Sequence, residues 1–183
     1  MSTTKTFRAF TAVDLVTVAA LAVLFRMMDY VSGVLGFIFP FNTLVMCLGY
    51  GITAIVAAMV VRKTGVFTLF TIAAHAINFF LQGEVLIAVV VMSAWGLLGD
   101  AYVYIRVKTG HDPFASLRDM LIASVLLGIV WVATTYWIAF PMIFLVELTF
   151  EIYAALGAFG IVAVVVGGWL GFGLGNRVKG LIG

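Results

Sequence analysis

Cysteine occurs once, at Cys47, and proline three times in 183 residues. A single thiol excludes a disulfide within the chain and a cysteine-based metal site. Charged residues make up only 10% of the sequence, against about 25% in soluble domains. That shortage excludes an ordinary soluble enzyme, a disordered chain and a nucleic-acid binder of the usual basic kind. The sequence has no Walker A motif, no His-Glu-x-x-His and no Gly-x-Ser-x-Gly. P-loop ATP hydrolysis is therefore excluded, no catalytic dyad stands out, and no enzyme activity or cofactor is implied. His75 has no second histidine at metal-ligand spacing, so no metal site is expected.

What is present is apolar. Hydrophobic residues are 64% of the chain, with a mean hydropathy of +1.23, which fits a polytopic membrane protein. The expected fold is all-α, with six transmembrane helices over about 11–29, 42–61, 66–82, 84–105, 117–139 and 151–175. Six spans of about 20 residues use roughly 120 positions, which leaves short loops and a single membrane domain over 1–183. The opening MSTTKTFRAFTAVD has no clean signal-peptide cleavage site, and the apolar stretch after it is expected to be the first span.

Topology follows from the basic residues. With six spans, Lys5, Arg8, Arg62, Lys63, Arg106, Lys108, Arg118, Arg177 and Lys179 all fall on one side. The positive-inside rule puts that side, and both termini, in the cytoplasm of a multi-pass cell-membrane protein. The far side is acidic and polar, with Asp29, Gln82, Glu84, Glu147 and Glu151 around its mouth. VSGVLGFIFPF, between the first two helices, is apolar yet carries Gly33, Gly36 and Pro40. A re-entrant loop, a short interfacial helix and a lid are its alternatives.

Several polar residues fall inside the spans. Arg26 and Asp29 are spaced i,i+3, which permits an ion pair. Arg26 is either a cation snorkelling to the interface or a ligand contact. His75, Asn78 and Gln82 share one helical face and form either interhelical hydrogen bonds or the wall of a cavity. Trp95 lies too deep for an interfacial belt, whereas Tyr136, Trp137 and Tyr153 suit one. Aromatic walls with a few polar groups describe a pocket for a flat, partly polar heterocycle. Asp100 is expected to pair with a neighbouring helix or to face a coupling surface. Gly167, Gly171 and Gly175 form a double Gly-x-x-x-Gly ridge, used either for packing inside the bundle or for docking another subunit.

Six short helices, an apolar first external loop and the terminal GNRVKG together resemble the substrate-binding (S) component of an energy-coupling factor (ECF) transporter. VVRKTGVFTLFTIAAHAINFFLQG is similar to the helix 2–3 junction of the YkoE-like group, which is associated with thiamine or its hydroxymethylpyrimidine precursor. The resemblance implies capture of a small-molecule vitamin from outside. It also implies partners: an ECF coupling transmembrane subunit and two cytoplasmic ATPase subunits. Residues 30–41 would help close the pocket, and Trp95, Tyr136, Trp137, Glu147 and Glu151 would match ligand contacts. Glu84, Glu147 or Glu151 would offset a cationic ring. Family members often meet the coupling subunit through an Ala-x-x-x-Ala face on helix 1. Here Ala12, Val16, Ala20 and Leu24 share one row and Val23 follows Ala19, so docking shifts to Ala19, Ala20 and Ala22. The competing readings are a structural or assembly subunit of a larger membrane complex and a stand-alone permease.

Overall fold

Thr11 starts the first helix with a reciprocal cap. Its hydroxyl accepts from the Asp14 amide at 3.2 Å, while the Asp14 carboxylate accepts from the Thr11 amide at 2.7 Å. Helix α1 then runs Ala12–Val34, followed by α2 (Phe41–Val61), α3 (Val66–Gln82), α4 (Leu86–Ser93), α5 (Leu97–Lys108), α6 (Leu117–Thr134) and α7 (Phe150–Ile182). The computed structural model describes residues 9–34, 41–83, 86–135, 138 and 149–182, and among them all regular secondary structure is helical. Within the described residues, four stretches are long and apolar enough to cross a membrane: Asn42–Val61, Leu86–Lys108, Leu117–Thr134 and Phe150–Lys179. Helix α3 is apolar but has only 17 residues, and α1 has 23 residues that include Asp14, Arg26 and Asp29.

The boundaries differ from the hydropathy reading in three places. Helix α1 continues to Val34, because Tyr30 to Gly33 contains no residue that stops a helix outright. Helix α7 continues through the polar GNRVKG to Ile182, since the hydrogen-bonded ladder does not end where the apolar run does. The fourth expected helix is interrupted. A 3-10 turn, Ala94–Gly96, separates α4 from α5. The cause is close packing: a Cβ on Gly96 would lie 2.3 Å from the Phe67 and Thr68 backbone. Thr71 reinforces the join by donating its hydroxyl to the Ser93 carbonyl at 2.9 Å.

Helix α2 sits in the middle, touching α1, α3, α6 and α7. It runs parallel to α7, and glycines make the fit. A Cβ on Gly167 would meet the Leu48 carbonyl at 2.4 Å, one on Gly171 the Ile52 carbonyl at 2.6 Å, and one on Gly175 the Met59 sulfur at 2.8 Å. Removing those side chains lets the two backbones approach. Gly51 answers from α2, where a Cβ would lie 2.3 Å from the Val164 carbonyl. The Gly167, Gly171 and Gly175 ridge is therefore filled from within the chain. It is a correction to the docking assignment of those three glycines, because α2 already covers the face that a partner would need.

The basic groups gather at one end of the bundle. Lys63 donates to the Asp14 carboxylate at 2.5 Å and to the Ala9 carbonyl at 2.7 Å, fixing the start of α1 to the α2–α3 turn. Arg62 pairs with Asp112 in the α5–α6 connection. Arg106 and Tyr102 both donate to the buried Asp119 near the start of α6. Asp100 caps α3 from α5: its carboxylate accepts from the amides of Gly65, Phe67 and Thr68 at 3.0, 3.1 and 2.7 Å. These amides have no partner within their own helix, and a carboxylate also suits the positive end of the helix dipole.

Candidate functional site

The opposite end of the bundle holds a different kind of polar group. Arg26, on α1, is buried, at 6% exposure. Its Nε donates to the Ala74 carbonyl on α3 at 2.9 Å, its Nη1 to the Asp29 carboxylate at 3.0 Å, and its Nη2 lies 2.8 Å from Nδ1 of His75. A guanidinium only donates, so His75 accepts through Nδ1 and its ring proton belongs on Nε2. Arg26 is therefore a clamp between α1 and α3, not a side chain reaching for the interface. Burial of this kind requires each donor to be used, and the fork geometry of arginine allows it. Next to it, the Ser32 hydroxyl lies 2.6 Å from the Asp29 carbonyl and 2.7 Å from the Asn42 side-chain amide; its single proton serves one of these contacts at a time, and together they tie the end of α1 to the start of α2.

An aromatic cluster packs in the core beside this clamp. The His75 ring meets Trp95 edge-on, with centroids 4.7 Å apart and planes at 89°. Trp95 in turn contacts Tyr50 at 5.5 Å and Trp131 at 6.1 Å. Tyr50 packs against Phe25 and Phe70 at 5.7 and 6.0 Å. The 3-10 turn at Ala94–Gly96 carries Trp95 at the junction of α4 and α5. Trp131 gains its room from α7, where a Cβ on Gly160 would lie 2.4 Å from the indole. Edge-to-face geometry is favourable for such rings, by about 0.5–1.5 kcal/mol per pair.

Two donors in this cluster remain unused. Among the described residues, the Trp95 indole nitrogen and the Tyr50 hydroxyl are buried and have no hydrogen-bond partner. The Thr135 hydroxyl, just past the end of α6, shares that condition. Buried polar groups are nearly always paired, so these unmatched groups mark a place where something beyond the described residues supplies partners. An indole N–H can only donate.

The structure thus brings Arg26, Asp29, His75 and Trp95 into one continuous set of contacts. Asn78 is half-buried one turn beyond His75 on α3. Glu151 is exposed at the first turn of α7 and makes no part of the cluster among the described residues. Glu84, Tyr136, Trp137 and Glu147 lie outside the described residues, as do the side chain of Gln82 and residues 35–40 of the 30–41 segment. Tyr50, Phe25, Phe70, Ser32 and Asn42 were not singled out from sequence. Tyr50 had a signal: a hydroxyl in the middle of an apolar helix, flanked by Gly49 and Gly51.

On α1, Ala19 and Ala20 are exposed, whereas Ala22 is fully buried in the core. That corrects the expected docking set, because Ala22 turns inward with Val18 and Phe25. No group of three or more His, Cys, Asp or Glu side chains among the described residues is placed to hold a metal ion. No model of a known protein family, no curated protein and no solved structure matches this chain.

Proposed function

We propose that this chain is the membrane-embedded substrate-binding subunit of an ECF-type vitamin uptake transporter. It crosses the membrane six times, with the basic end and both termini in the cytoplasm and the Arg26 end facing out. Its ligand is thiamine-like or another small heterocyclic vitamin. The observation that carries the reading is the pair of orphaned donors, Trp95 Nε1 and Tyr50 OH, beside a buried Arg26–His75 clamp. Ring nitrogens or carbonyls of a heterocycle would satisfy those donors, and the surrounding rings would stack on its faces. The chain binds and releases. A coupling transmembrane subunit and two cytoplasmic ATPase subunits would supply the energy, and the exposed Ala19–Ala20 part of α1 is the face on which the coupling subunit would sit. The assembly-subunit alternative loses its main support, because the glycine ridge is used internally.

Native mass spectrometry of gently purified protein tests this reading. A retained, vitamin-sized molecule is expected, and Trp95→Phe, which keeps a ring but deletes the donor, should weaken its retention about tenfold, the effect of one hydrogen bond worth about 1–1.5 kcal/mol. Protein that is folded but carries no small molecule, and binds none from a vitamin mixture, contradicts it.

A further inference from the structure

We propose that the last turns of α7 form a binding site for one anionic phospholipid of the leaflet at the basic end. The inference rests on the chain lying in a membrane and is independent of vitamin capture. A groove of about 390 Å³ runs along α7, walled by Trp169, Leu170, Phe172 and Leu174, with Ile52 of α2 and Leu117 of α6 on its borders. Trp169, Gly173 and Arg177 follow each other at spacing four, so they stand one above another on a single face. A Cβ at Gly173 would meet nothing within 4 Å. The missing side chain is thus not needed for packing inside the bundle, and it leaves a notch between the indole and the guanidinium.

The dimensions suit one acyl chain. The helical rise sets Trp169 about 12 Å from Arg177 along the axis, close to the roughly 15 Å half-thickness of the hydrocarbon layer. Trp169 is 57% exposed at that depth, where an interfacial belt does not explain it. As the wall of an acyl groove it has a reason to be there.

Charge selects the headgroup. Arg177 closes the groove at the basic end. Arg118 lines a second, neighbouring groove of about 540 Å³ along α6, and Leu117 borders both. No carboxylate lines either groove among the described residues. Asp119, next to Arg118 in sequence, is buried and engaged by Tyr102 and Arg106. Two guanidiniums on grooves whose described lining carries no carboxylate favour a net negative phosphate over a zwitterionic headgroup.

The test is native mass spectrometry of the full chain with phosphatidylglycerol or phosphatidylcholine carrying the same acyl chains. The phosphatidylglycerol adduct should be retained over the phosphatidylcholine adduct by about fivefold per arginine, and Arg118→Gln/Arg177→Gln should abolish the preference. Gly173→Leu fills the notch, so both lipid adducts should fall while the melting temperature stays at the wild-type value. Glycerol phosphate alone should give no adduct. Equal retention of the two lipids by the wild type, wild-type adducts on folded Gly173→Leu, or a glycerol phosphate adduct at the same concentration would each overturn the proposal.

Discussion

Replacing Arg26 with leucine is expected to destabilise the fold by about 3 kcal/mol, the lower end of the range for breaking a buried ion pair. The lower end applies because Asp29 keeps 17% exposure and some solvation. The loss has three parts. The Asp29 carboxylate loses its cation, His75 Nδ1 loses its donor, and the Ala74 carbonyl loses the Nε bond that holds α3 to α1. Leucine nearly matches the stem of arginine, so lost packing alone does not account for the effect. For a chain of this size the melting temperature should fall by roughly 6–12 °C. Arg26→Lys should fall between the two, because an ammonium retains the charge but cannot fork to three acceptors. Adding Asp29→Asn to Arg26→Leu should recover part of the loss, since the stranded carboxylate goes with it. Retention of a small molecule should drop in step, as the clamp fixes the His75–Trp95 edge contact. An Arg26→Leu protein that melts with the wild type contradicts the clamp.

The second large effect is expected at Gly171. A leucine there puts its Cβ 2.6 Å from the Ile52 carbonyl and 3.1 Å from the Ile52 Cα, both backbone atoms. A side-chain rotation cannot relieve this clash. Helices α2 and α7 would have to move apart, and because only backbone movement relieves the clash the cost falls at the upper end of the range for overpacking, about 3 kcal/mol. Gly173, two residues along, is the matched control, because a Cβ there meets nothing. Thermal unfolding in detergent should therefore show a strongly lowered transition for Gly171→Leu and an unchanged one for Gly173→Leu. Equal transitions for the two would mean that α2 and α7 do not pack through this face.

Much of the helical framework is readable from the sequence because it is written there as long apolar runs, of the length and composition that membrane-crossing helices need. Asn42–Val61 and Val66–Gln82 could be bounded almost to the residue, since Arg62 to Gly65 is both polar and turn-forming. The Arg26–Asp29 contact follows from i,i+3 spacing, a purely local rule. The parts that were not readable depend on partners distant in sequence. Asp100 looks like any intramembrane acid until α3 presents three amides to it from 32 to 35 positions away. The turn at Trp95 exists because Gly96 lies against the backbone of α3, which no local propensity reveals. The glycine ridge announced a close contact, but only the parallel placement of α2 and α7 decides that the contact is internal. Ala22 differs from Ala19 and Ala20 only by rotation about the helix, and that rotation is set by Val18 and Phe25 entering the core.

The proposed capture from outside and release to the cytoplasm would require the Arg26 end of the bundle to face out and the basic end to face in. Single cysteines report this directly, because the native Cys47 is buried at 1% exposure and does not compete for reagent. Thr109 is exposed beside the basic end, and Thr149 is exposed just before α7 at the other. In intact cells, a membrane-impermeant maleimide should label Thr149→Cys and leave Thr109→Cys untouched until the membrane is opened. Labelling of Thr109→Cys from outside, or of both positions from the same face, would contradict it.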